Sequence, residues 1–229
     1  MNIITEVLLK DGVSPAKCEK FEAFARLLKE TNKSFNLTRI TDDESMAKLH
    51  FSDSIAPAVL GLIPEGAKII DVGTGGGFPS VPLAIFCDNI KMTAVEASEK
   101  KLSFVKRASD ELGLNIDCIC ARAEELAFTK KRESFDICVS RAVASMSMLL
   151  ELISPFAKVG GKLLCYKGQN CAEEIEFAKN AQQKLKLTEP KIYSAGLQEL
   201  DHVIAVYEKK APLPGAYPRR FAKIKSDPL

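Results

Sequence analysis

The sequence predicts an α/β fold with a mostly parallel, doubly wound sheet, an antiparallel edge strand and an N-terminal helical cap. Residues 1–60 have helical periodicity and no strand pattern, whereas from about residue 66 short β-rich runs alternate with helical stretches. Strands that alternate with helices form right-handed crossovers and hence a parallel sheet. The irregular stretch EPKIYSAG, before the final run HVIAVYEKK, predicts that the last two strands pair antiparallel at one edge.

Two helix starts can be recognised within the cap. Ser14 followed by Pro15 is typical of a helix start, and apolar residues then recur on one face. Thr41 and Glu44 have the spacing of a capping box, which opens the second helix. Pro57 is expected to limit that helix, because proline lacks the N–H that a helix interior needs.

The rest of the chain is divided into a core and a tail. Strands are predicted at AKIIDV, KMTAVE, IDCIC, FDICVS, GKLLCYK and HVIAVYEK. A helix is predicted over residues 98–112, where Gly113 ends it. We expect residues 1–60 to form the cap, residues 61–209 the core and residues 210–229 a basic tail, all within one structural domain.

The composition suits a folded chain whose charge is uneven. Of the 229 residues, 46% are hydrophobic, which is enough for one large domain with a core. Lys and Arg exceed Asp and Glu by 32 to 30, so the net charge of +2 neither demands nor excludes a polyanionic partner. The end of the chain is nevertheless strongly basic. Its charged residues are Lys209, Lys210, Arg219, Arg220, Lys223, Lys225 and a single acid, Asp227.

The cysteines and histidines exclude several classes of protein. Seven cysteines are an odd number, and most lie in apolar segments, which favours buried thiols in a reducing compartment over a disulfide framework. With only His50 and His202 and no Cys-x-x-Cys pair, no metal site is expected. No segment approaches the roughly 18 apolar residues of a membrane span. We therefore expect a cytoplasmic protein without a membrane partner.

The stretch DVGTGGGFPSVPLAI directly follows the first predicted strand. In an open parallel sheet, ligands bind beyond the carboxyl ends of the strands, near the point where the strand order reverses. A P-loop would need Gly-Lys-Ser or Gly-Lys-Thr, which is absent, and the dinucleotide fingerprint would need a glycine where Phe78 stands. The pattern here is Asp-x-Gly-x-Gly-x-Gly, at Asp71, Gly73, Gly75 and Gly77.

With the acid Glu96 at the end of the second strand, this spacing resembles Rossmann-like class I methyltransferases that use S-adenosylmethionine. That cofactor carries no phosphate, but it has a methionine end and a ribose with two free hydroxyl groups. Bare backbone lets the methionine end approach, and the next helix, with Pro79 and Pro82 in its first turn, offers amides to the carboxylate. Glu96 can accept both ribose hydroxyls. A glycine turn without a ligand is the alternative.

Two further strand ends carry candidate residues. ARAEEL places Ala123 and Glu124 after the third strand, where a backbone amide and a carboxylate can meet an adenine edge; a solvated helix-cap acid is the alternative for Glu124. Arg141, in SRAVA, follows the fourth strand at the position that faces the departing methyl group. We predict that Arg141 is the catalytic residue, at the point where cofactor and target meet. The alternative is that Arg141 forms an ion pair on the surface.

The acceptor is inferred from the motifs that are missing. Enzymes that methylate exocyclic amines resemble one another in an Asn/Asp-Pro-Pro-Tyr/Phe motif, and here Ser140-Arg141-Ala142-Val143 stands in its place. Carbon-5 pyrimidine enzymes use a cysteine, usually beside proline, and this chain has no Pro-Cys pair. A ring nitrogen such as guanine N7 has a free lone pair and no proton, so its methylation needs alignment more than a base.

Several motifs together resemble one family, the bacterial 16S rRNA guanine-N7 methyltransferases known as glucose-inhibited division protein B. They are SFNLTRI (34–40), HFSDS (50–54), the glycine stretch, EKKLSFVK (99–106), RAEE, SRAVA, KG at 167–168 and YPRRFAKIKSDPL at the end. The resemblance implies methyl transfer from S-adenosylmethionine to N7 of one guanine in the decoding-region loop. It implies cofactor contacts at Gly73, Phe78, Ala123, Glu124 and Arg141. Ser80 and the segment FAKIK depart from the family pattern, and the second departure leaves the conformation of the tail open.

The expected partner is 16S rRNA, either naked, in the small ribosomal subunit or in an assembly intermediate, and the protein is expected to be a monomer. The residues predicted to contact RNA are Lys167, Arg219, Arg220, Lys223 and Lys225. His50, Asp53 and Ser54 are predicted to form a polar network between cap and sheet rather than to act in catalysis. A small-molecule or protein methyltransferase of the same fold, or a non-catalytic RNA- or ribosome-binding module, are the alternatives.

Overall fold

A computed structural model describes residues 2–141, 144–195, 197 and 201–229, and a seven-stranded sheet runs through them. The strands are β1 (Lys68–Val72), β2 (Lys91–Glu96), β3 (Ile116–Cys120), β4 (Phe135–Arg141), β5 (Ala157–Lys167), β6 (Lys191–Ser194) and β7 (Val203–Glu208). Their order is β3-β2-β1-β4-β5-β7-β6. β1 to β5 pair in parallel, whereas β7 is antiparallel to both β5 and the edge strand β6. The predicted fold class is confirmed.

The chain changes its direction of travel across the sheet after β3. β1 lies near the centre, β2 and β3 are added on one side of it, and β4 and β5 follow on the other side. The loops after β1 and β4 therefore leave neighbouring strands at the same edge, where the strand order reverses. The glycine stretch after β1 and Arg141 at the end of β4 are thereby brought together.

Helices cover both faces of the sheet. They are α1 (Ile3–Lys10), α2 (Pro15–Asn32), α3 (Asp43–Ser45), a π-helix (Met46–Ser52), α4 (Asp53–Val59), α5 (Ser80–Phe86), α6 (Glu99–Glu111), α7 (Ala123–Leu126), α8 (Met146–Ile153), α9 (Cys171–Phe177), α10 (Lys179–Lys184) and α11 (Phe221–Ser226). The starts predicted at Pro15 and Ser98 are confirmed, and Ser98 accepts a hydrogen bond from Lys101 N as the N-cap of α6.

The second helical segment of the cap differs from the prediction in two details. Asp42 rather than Thr41 caps it, because Asp42 Oδ1 accepts a hydrogen bond from Ser45 N at 2.8 Å. Pro57 does not end the helix, since α4 continues to Val59. Pro57 is buried there, and packing against the core outweighs the one backbone hydrogen bond that proline cannot make.

An aromatic cluster joins the cap to the helices beside the glycine stretch. The ring centroid of Phe24 in α2 lies 5.6 Å from that of Phe78 and 6.2 Å from that of Phe104 in α6. Phe51 of the π-helix lies 5.8 Å from Phe24 by the same measure. All four rings are buried, and each contributes about 1.5–3 kcal/mol through loss of apolar surface. The cap is therefore fixed against the loop that follows β1.

The tail packs into the core. Leu213 and Ile224 are buried in the same apolar cluster as α8. Arg219 donates from Nε and Nη2 to the carboxylate of Glu151 in α8, at 2.9 and 2.7 Å, and the Glu151 side chain is completely buried. Lys209, at the start of the basic end of the chain, is also buried, with Nζ 2.6 Å from Glu133. Part of the basic charge near the C-terminus is therefore structural.

Three observations concern thiols, membranes and metals. All seven cysteines are free, and burial raises the pKa of Cys165 to about 12, which keeps that thiol protonated. Among the described residues, no helix combines the length and the apolar character that crossing a bilayer requires. The same residues hold no cluster of three or more His, Cys, Asp or Glu side chains arranged for a metal ion.

Candidate functional site

The glycine stretch forms a tight loop between β1 and α5. Gly73, Gly75 and Gly77 have positive φ angles of 79°, 56° and 92°, a region that favours glycine. The N–H groups of Gly73 and Thr74 donate to the Val95 carbonyl of β2, at 2.8 and 3.1 Å, and tie the loop to the sheet. The backbone itself therefore requires these glycines, apart from any ligand.

Gly75 and Gly77 differ in what surrounds them. A Cβ on Gly75 would have no heavy atom within 4 Å, so this part of the loop faces open space. A Cβ on Gly77 would lie 2.8 Å from Cγ2 of Val81 in α5. Gly77 therefore permits close packing of the loop against a helix, whereas Gly75 leaves room for a ligand.

We expect Gly77→Ala to destabilise the fold more than Gly75→Ala. The added methyl group at residue 77 meets both an unfavourable φ and Val81, which should lower the free energy of unfolding by roughly 2–4 kcal/mol. At residue 75 only the φ is unfavourable, at about 1–2 kcal/mol. Denaturant unfolding of the two variants measures the difference, and equal destabilisation would contradict the assignment of Gly77 to packing.

Asp71, near the end of β1, lies beneath the loop. Its side chain is completely buried, and Oδ2 accepts a hydrogen bond from Ser80 N at 3.1 Å. Burial raises the pKa of Asp71 to about 7, although hydrogen bonds from Thr74 and Ser80 act in the opposite direction. Oδ1 accepts no hydrogen bond from any described residue. Asp71 thus joins the loop to the first turn of α5 from below.

Glu96 ends β2 and reaches back to the loop. Its Oε2 accepts a hydrogen bond from Gly75 N at 3.0 Å, and its Oε1 accepts one from Ser98 N at 2.9 Å. Each oxygen keeps a further lone pair, so the carboxylate can still accept from two hydroxyl groups. Because Glu96 occupies the N–H of Gly75, that amide is not free to bind a phosphate.

A cavity of about 450 Å³ opens above the loop, and we call it the loop cavity. The predicted cofactor residues that line it are Gly73, Gly75, Phe78, Glu96, Ala123, Glu124 and Arg141. The other two, Asp71 and Gly77, are not among the residues that line it. Lining residues that the sequence analysis did not assign to the site include Leu37, Lys101, Arg122 and Phe221.

Arg122 and Phe221 border one end of the loop cavity, next to Ala123 and Glu124. The guanidinium carbon of Arg122 lies 4.3 Å from the ring centroid of Phe221, and its Nε lies 2.8 Å from Glu124 Oε1. Phe221 is the first residue of α11. The tail therefore supplies a side chain to this cavity. The sequence of the FAKIK segment gave no indication of this contact.

Arg141 forms the wall at the other end. Its Nη1 donates to the Leu49 carbonyl at 3.0 Å and to Asp53 Oδ2 at 2.8 Å. Its Nη2 donates to His50 Nδ1 at 3.2 Å, and the guanidinium carbon lies 5.0 Å from the Phe78 ring centroid. The side chain is 13% exposed, so its pair with Asp53 is buried and the alternative of a surface ion pair is wrong. Arg141 joins the sheet to the cap.

His50 is a neutral imidazole with its proton on Nε2. Arginine only donates hydrogen bonds, so Nδ1 of His50 must accept from Arg141. Nε2 then donates to Thr38 Oγ1, 2.7 Å away. Burial, and then the charge of Arg141, lower the pKa of His50 to about 4. The ring also stacks on Phe78 with centroids 4.3 Å apart. The predicted polar network is confirmed for His50 and Asp53, which both bind Arg141. It is wrong for Ser54, whose buried hydroxyl has no hydrogen-bond partner among the described residues.

A second cavity, of about 710 Å³, shares Arg141 and His50 with the loop cavity, and we call it the adjoining cavity. Its other polar side chains are Asp53, Tyr166, Lys167, Glu174 and His202. The two cavities meet at the Arg141 side chain. Two adjacent cavities are the arrangement that a transfer reaction between two ligands requires.

Asp53 is the buried anion that holds Arg141. Its second oxygen, Oδ1, accepts a hydrogen bond from His202 Nδ1 at 2.9 Å. Burial raises the pKa of Asp53, but the hydrogen bond from His202 and the charge of Arg141 outweigh it, so the pKa lies below its usual value. The same hydrogen bond raises the pKa of His202. Asp53 is therefore an ionised carboxylate with both oxygens engaged.

The residues predicted to contact RNA are placed in different surroundings. Lys167 is 9% exposed and lies in the adjoining cavity, where its Nζ is 2.6 Å from Glu174 Oε2. Arg219 is engaged with Glu151 in the core. The remaining three are exposed on the tail, and they are Arg220, Lys223 and Lys225. Of these, Lys223 pairs with Asp227 at 2.6 Å.

His202 and Glu174 are site residues that the sequence analysis did not single out. For His202 a signal existed, because an antiparallel final strand places its first residues at the edge where the parallel strands end. Glu174 lies among other acids in α9, and nothing distinguishes it in the sequence. Ala142 and Val143, which the SRAVA motif placed beside the departing methyl group, lie outside the described residues.

Comparison with known families and proteins agrees with the motifs. A family model described as rRNA small subunit methyltransferase G matches residues 17–203. A ribosomal RNA small subunit methyltransferase G from Streptococcus sanguinis (strain SK36) is 40% identical over 98% of this chain and 97% of its own length. Another, from Thermoanaerobacter sp. (strain X514), is 39% identical over 92% of this chain and 90% of its own.

Solved structures show the same architecture at lower identity. A SAM-dependent O-methyltransferase from Thermotoga maritima has a TM-score of 0.57 and 15% identity, covering 80% of this chain and 71% of its own. Aeropyrum pernix fibrillarin in complex with natively bound S-adenosyl-L-methionine has a TM-score of 0.53 and 14% identity, covering 69% and 76%. These likenesses concern the fold alone, and it is the fold that the sequence predicts.

Proposed function

Since the chain belongs to the rRNA small subunit methyltransferase G family, we propose that it methylates N7 of a guanine in the decoding-region loop of bacterial 16S rRNA. The methyl donor is S-adenosylmethionine, whose sulfonium carries an electrophilic methyl group. The observation that supports this reaction best is the meeting of the loop cavity and the adjoining cavity at Arg141. One cavity suits the donor and the other suits the acceptor base.

The lining of the loop cavity fits the donor in three ways. The open space at Gly75 gives the methionine end access to bare backbone. Glu96, fixed by Gly75 N and Ser98 N, has lone pairs left for the ribose hydroxyls, and it takes the amide that a diphosphate would need. Ala123 and Glu124 lie at the end where an adenine edge can be met. Asp71 and Gly77 support the loop from behind.

The acceptor base enters the adjoining cavity. N7 lies on the Hoogsteen edge, which the deep and narrow major groove of an RNA helix hides from side chains, so the guanine is turned out or read in an open loop. The planar guanidinium of Arg141, held by Asp53 and His50, fixes the boundary between base and donor. Arg141 thus aligns the two reactants, and alignment is the main requirement of this reaction.

The neighbours of Arg141 fit a reaction without a general base. Asp53 has both oxygens engaged by Arg141 and His202, and His50 uses Nδ1 to accept from Arg141. Guanine N7 carries no proton that would have to be removed. Arg141, Asp53 and His50 therefore position the reactants, and the charges of Arg141 and Asp53 balance each other. None of the three has to accept a proton from the substrate.

Exposed cations of the tail provide the electrostatic attraction for RNA. Arg220, Lys223 and Lys225 lie close to Phe221, which borders the loop cavity, so they place RNA backbone near the site. Within this proposal, residues 1–60 are the cap, 61–209 the core and 210–229 the tail of one domain. The protein acts as a monomer on 16S rRNA, in the small subunit or in an assembly intermediate.

The reaction is tested with small ribosomal subunits from cells that lack this protein. Purified protein and S-adenosylmethionine with a labelled methyl group should transfer label to 16S rRNA, and chemical strand scission should map it to N7 of one guanine. Label on an exocyclic amine or on carbon would refute the choice of acceptor. Label on a protein or a small molecule would favour a different methyltransferase of this fold, and no donor binding would favour a non-catalytic module.

Glu96→Ala should weaken binding of the demethylated product, S-adenosylhomocysteine, by about tenfold or more. The substitution removes a charged acceptor of two ribose hydroxyls, and hydrogen bonds to charged groups contribute about 1.5–3 kcal/mol each. Isothermal titration calorimetry measures the dissociation constant. Glu99→Ala, an exposed acid at the start of α6, is the control and should bind as the wild type does. Equal affinity of the Glu96 variant would remove Glu96 from the donor site.

A further inference from the structure

The adjoining cavity contains an ion pair between Lys167 and Glu174. Lys167 Nζ donates to Glu174 Oε2 at 2.6 Å and to the Ala144 carbonyl at 2.9 Å. Glu174 Oε2 also accepts from Met146 N at 2.8 Å. These bonds hold both side chains in place at the segment that follows β4, close to the wall formed by Arg141.

Each partner has hydrogen-bonding capacity left over. An ammonium group has three donors, and two of those on Lys167 are used. A carboxylate has two oxygens, and Oε1 of Glu174 accepts no hydrogen bond from the part of the chain that the structure describes. The cavity thus has a cationic donor directly beside an anionic acceptor. Lys167 is 9% exposed and Glu174 32%, so the pair belongs to a cavity wall and not to an open surface.

This order of donor and acceptor distinguishes the two purines. Along its Watson–Crick edge guanine has the O6 acceptor next to the N1–H donor, with the 2-amino group beyond it. Adenine has the opposite order, an amino donor followed by the N1 lone pair. Lys167 can therefore donate to guanine O6 while the free Oε1 of Glu174, with its two lone pairs, accepts from N1–H and from the 2-amino group. With adenine, donor would face donor and acceptor would face acceptor, which leaves buried polar groups unpaired.

We propose that Lys167 and Glu174 form a base-reading pair that selects guanine in the adjoining cavity. This inference rests on the proposed function and adds to it the residues that determine specificity. O6 and N7 are neighbours on the guanine ring, so a base whose O6 meets Lys167 has N7 on the adjacent side, free to face the donor. Lys167 is then a contact to a base, instead of the contact to the RNA backbone that the sequence predicts.

The test compares guanine with inosine, which keeps N7, O6 and N1–H but lacks the 2-amino group. Small subunits are reconstituted with 16S rRNA that carries either base at the mapped position, and transfer of labelled methyl gives kcat/KM for each. The wild-type protein should prefer guanine by about tenfold, the order expected for one well-placed contact between a side chain and a base. In Glu174→Gln the two substrates should differ by less than about twofold. Glu173→Gln, an exposed neighbour in α9, should keep the wild-type preference.

The outcomes separate this inference from the proposed function. Wild-type protein that does not methylate the guanine substrate refutes the proposed function itself. Wild-type protein that methylates both substrates equally, or a Glu174→Gln variant that keeps the tenfold preference, refutes the base-reading pair and leaves the reaction intact. The Glu174→Gln variant should have the same midpoint of thermal unfolding as the wild type. Its affinity for S-adenosylhomocysteine should agree with that of the wild type within about twofold. The comparison of the two substrates uses the wild-type protein, so this part of the test does not depend on the folding of any variant.

Discussion

Arg141→Ala should lower kcat/KM for methyl transfer by at least about 10²-fold, which corresponds to roughly 2.7 kcal/mol of transition-state stabilisation. Arg141 lies where the two cavities meet, and its guanidinium binds the cap through Leu49, His50 and Asp53. If Arg141 aligns donor and acceptor as proposed, its removal leaves their relative position unset. Single-turnover transfer to small subunits measures the loss, since it separates the methyl transfer step from product release.

Two further variants show whether the loss reflects chemistry or folding. Arg141→Lys keeps the charge but cannot bind three partners with one planar group, so it should recover less than a tenth of the lost activity. Arg107→Ala, an exposed arginine of α6, should have wild-type activity. Thermal unfolding shows whether each variant is folded at the assay temperature. A folded Arg141→Ala variant with unchanged turnover would exclude Arg141 from the site.

Arg219→Ala should lower the free energy of unfolding by about 3–5 kcal/mol, because it leaves the carboxylate of Glu151 buried without its counter-charge. That carboxylate accepts from Arg219 N as well as from the guanidinium, and the hydrogen bond to Glu151 raises the pKa of Arg219 above its usual value. The double variant Arg219→Met with Glu151→Leu should recover most of the loss, since no charge then remains buried. Urea unfolding measures all three proteins.

The adjacent residue Arg220 is the matched control. Its side chain is exposed, so Arg220→Ala should change the free energy of unfolding by less than about 0.5 kcal/mol. It should instead weaken RNA binding. The slope of the logarithm of the binding constant against the logarithm of the salt concentration should fall by about one, because one fewer counterion is released. If both variants are equally stable, the tail is not anchored through Glu151. Deletion of the whole tail is a poor test of RNA contact, because it also removes Ile224 and Phe221 from the protein.

Most of the lining of the loop cavity was predictable because the residues concerned are close to strand ends in the sequence. The glycines and Glu96 follow two neighbouring strands, and parallel strands bring their carboxyl ends to one edge. The same reasoning predicted Arg141, although not its buried partner. Asp71 and Gly77 belong to the same motif, but their burial depends on the packing of α5, which spacing does not reveal.

Interactions between distant parts of the chain were not predictable. Asp53 and His202 are 149 residues apart, and only the insertion of β7 beside β5 brings them together. Glu151 stands in the apolar run MSMLLELI, and nothing there indicates that it pairs with Arg219. Lys209 follows a strand in a basic segment, where its charge is typical of a surface residue, yet Glu133 holds it in the core.

The position of the Asp53 carboxylate has a consequence for how the protein is made. A chain emerging from the ribosome presents its N-terminal helices first, so Asp53 is exposed long before Arg141 and His202 have been synthesised. Until Arg141 and His202 arrive, this anion lacks the partners that hold both of its oxygens, and it remains in water. The wall between the two cavities therefore takes shape only after residue 202 has been added, and Phe221 completes the loop cavity later still.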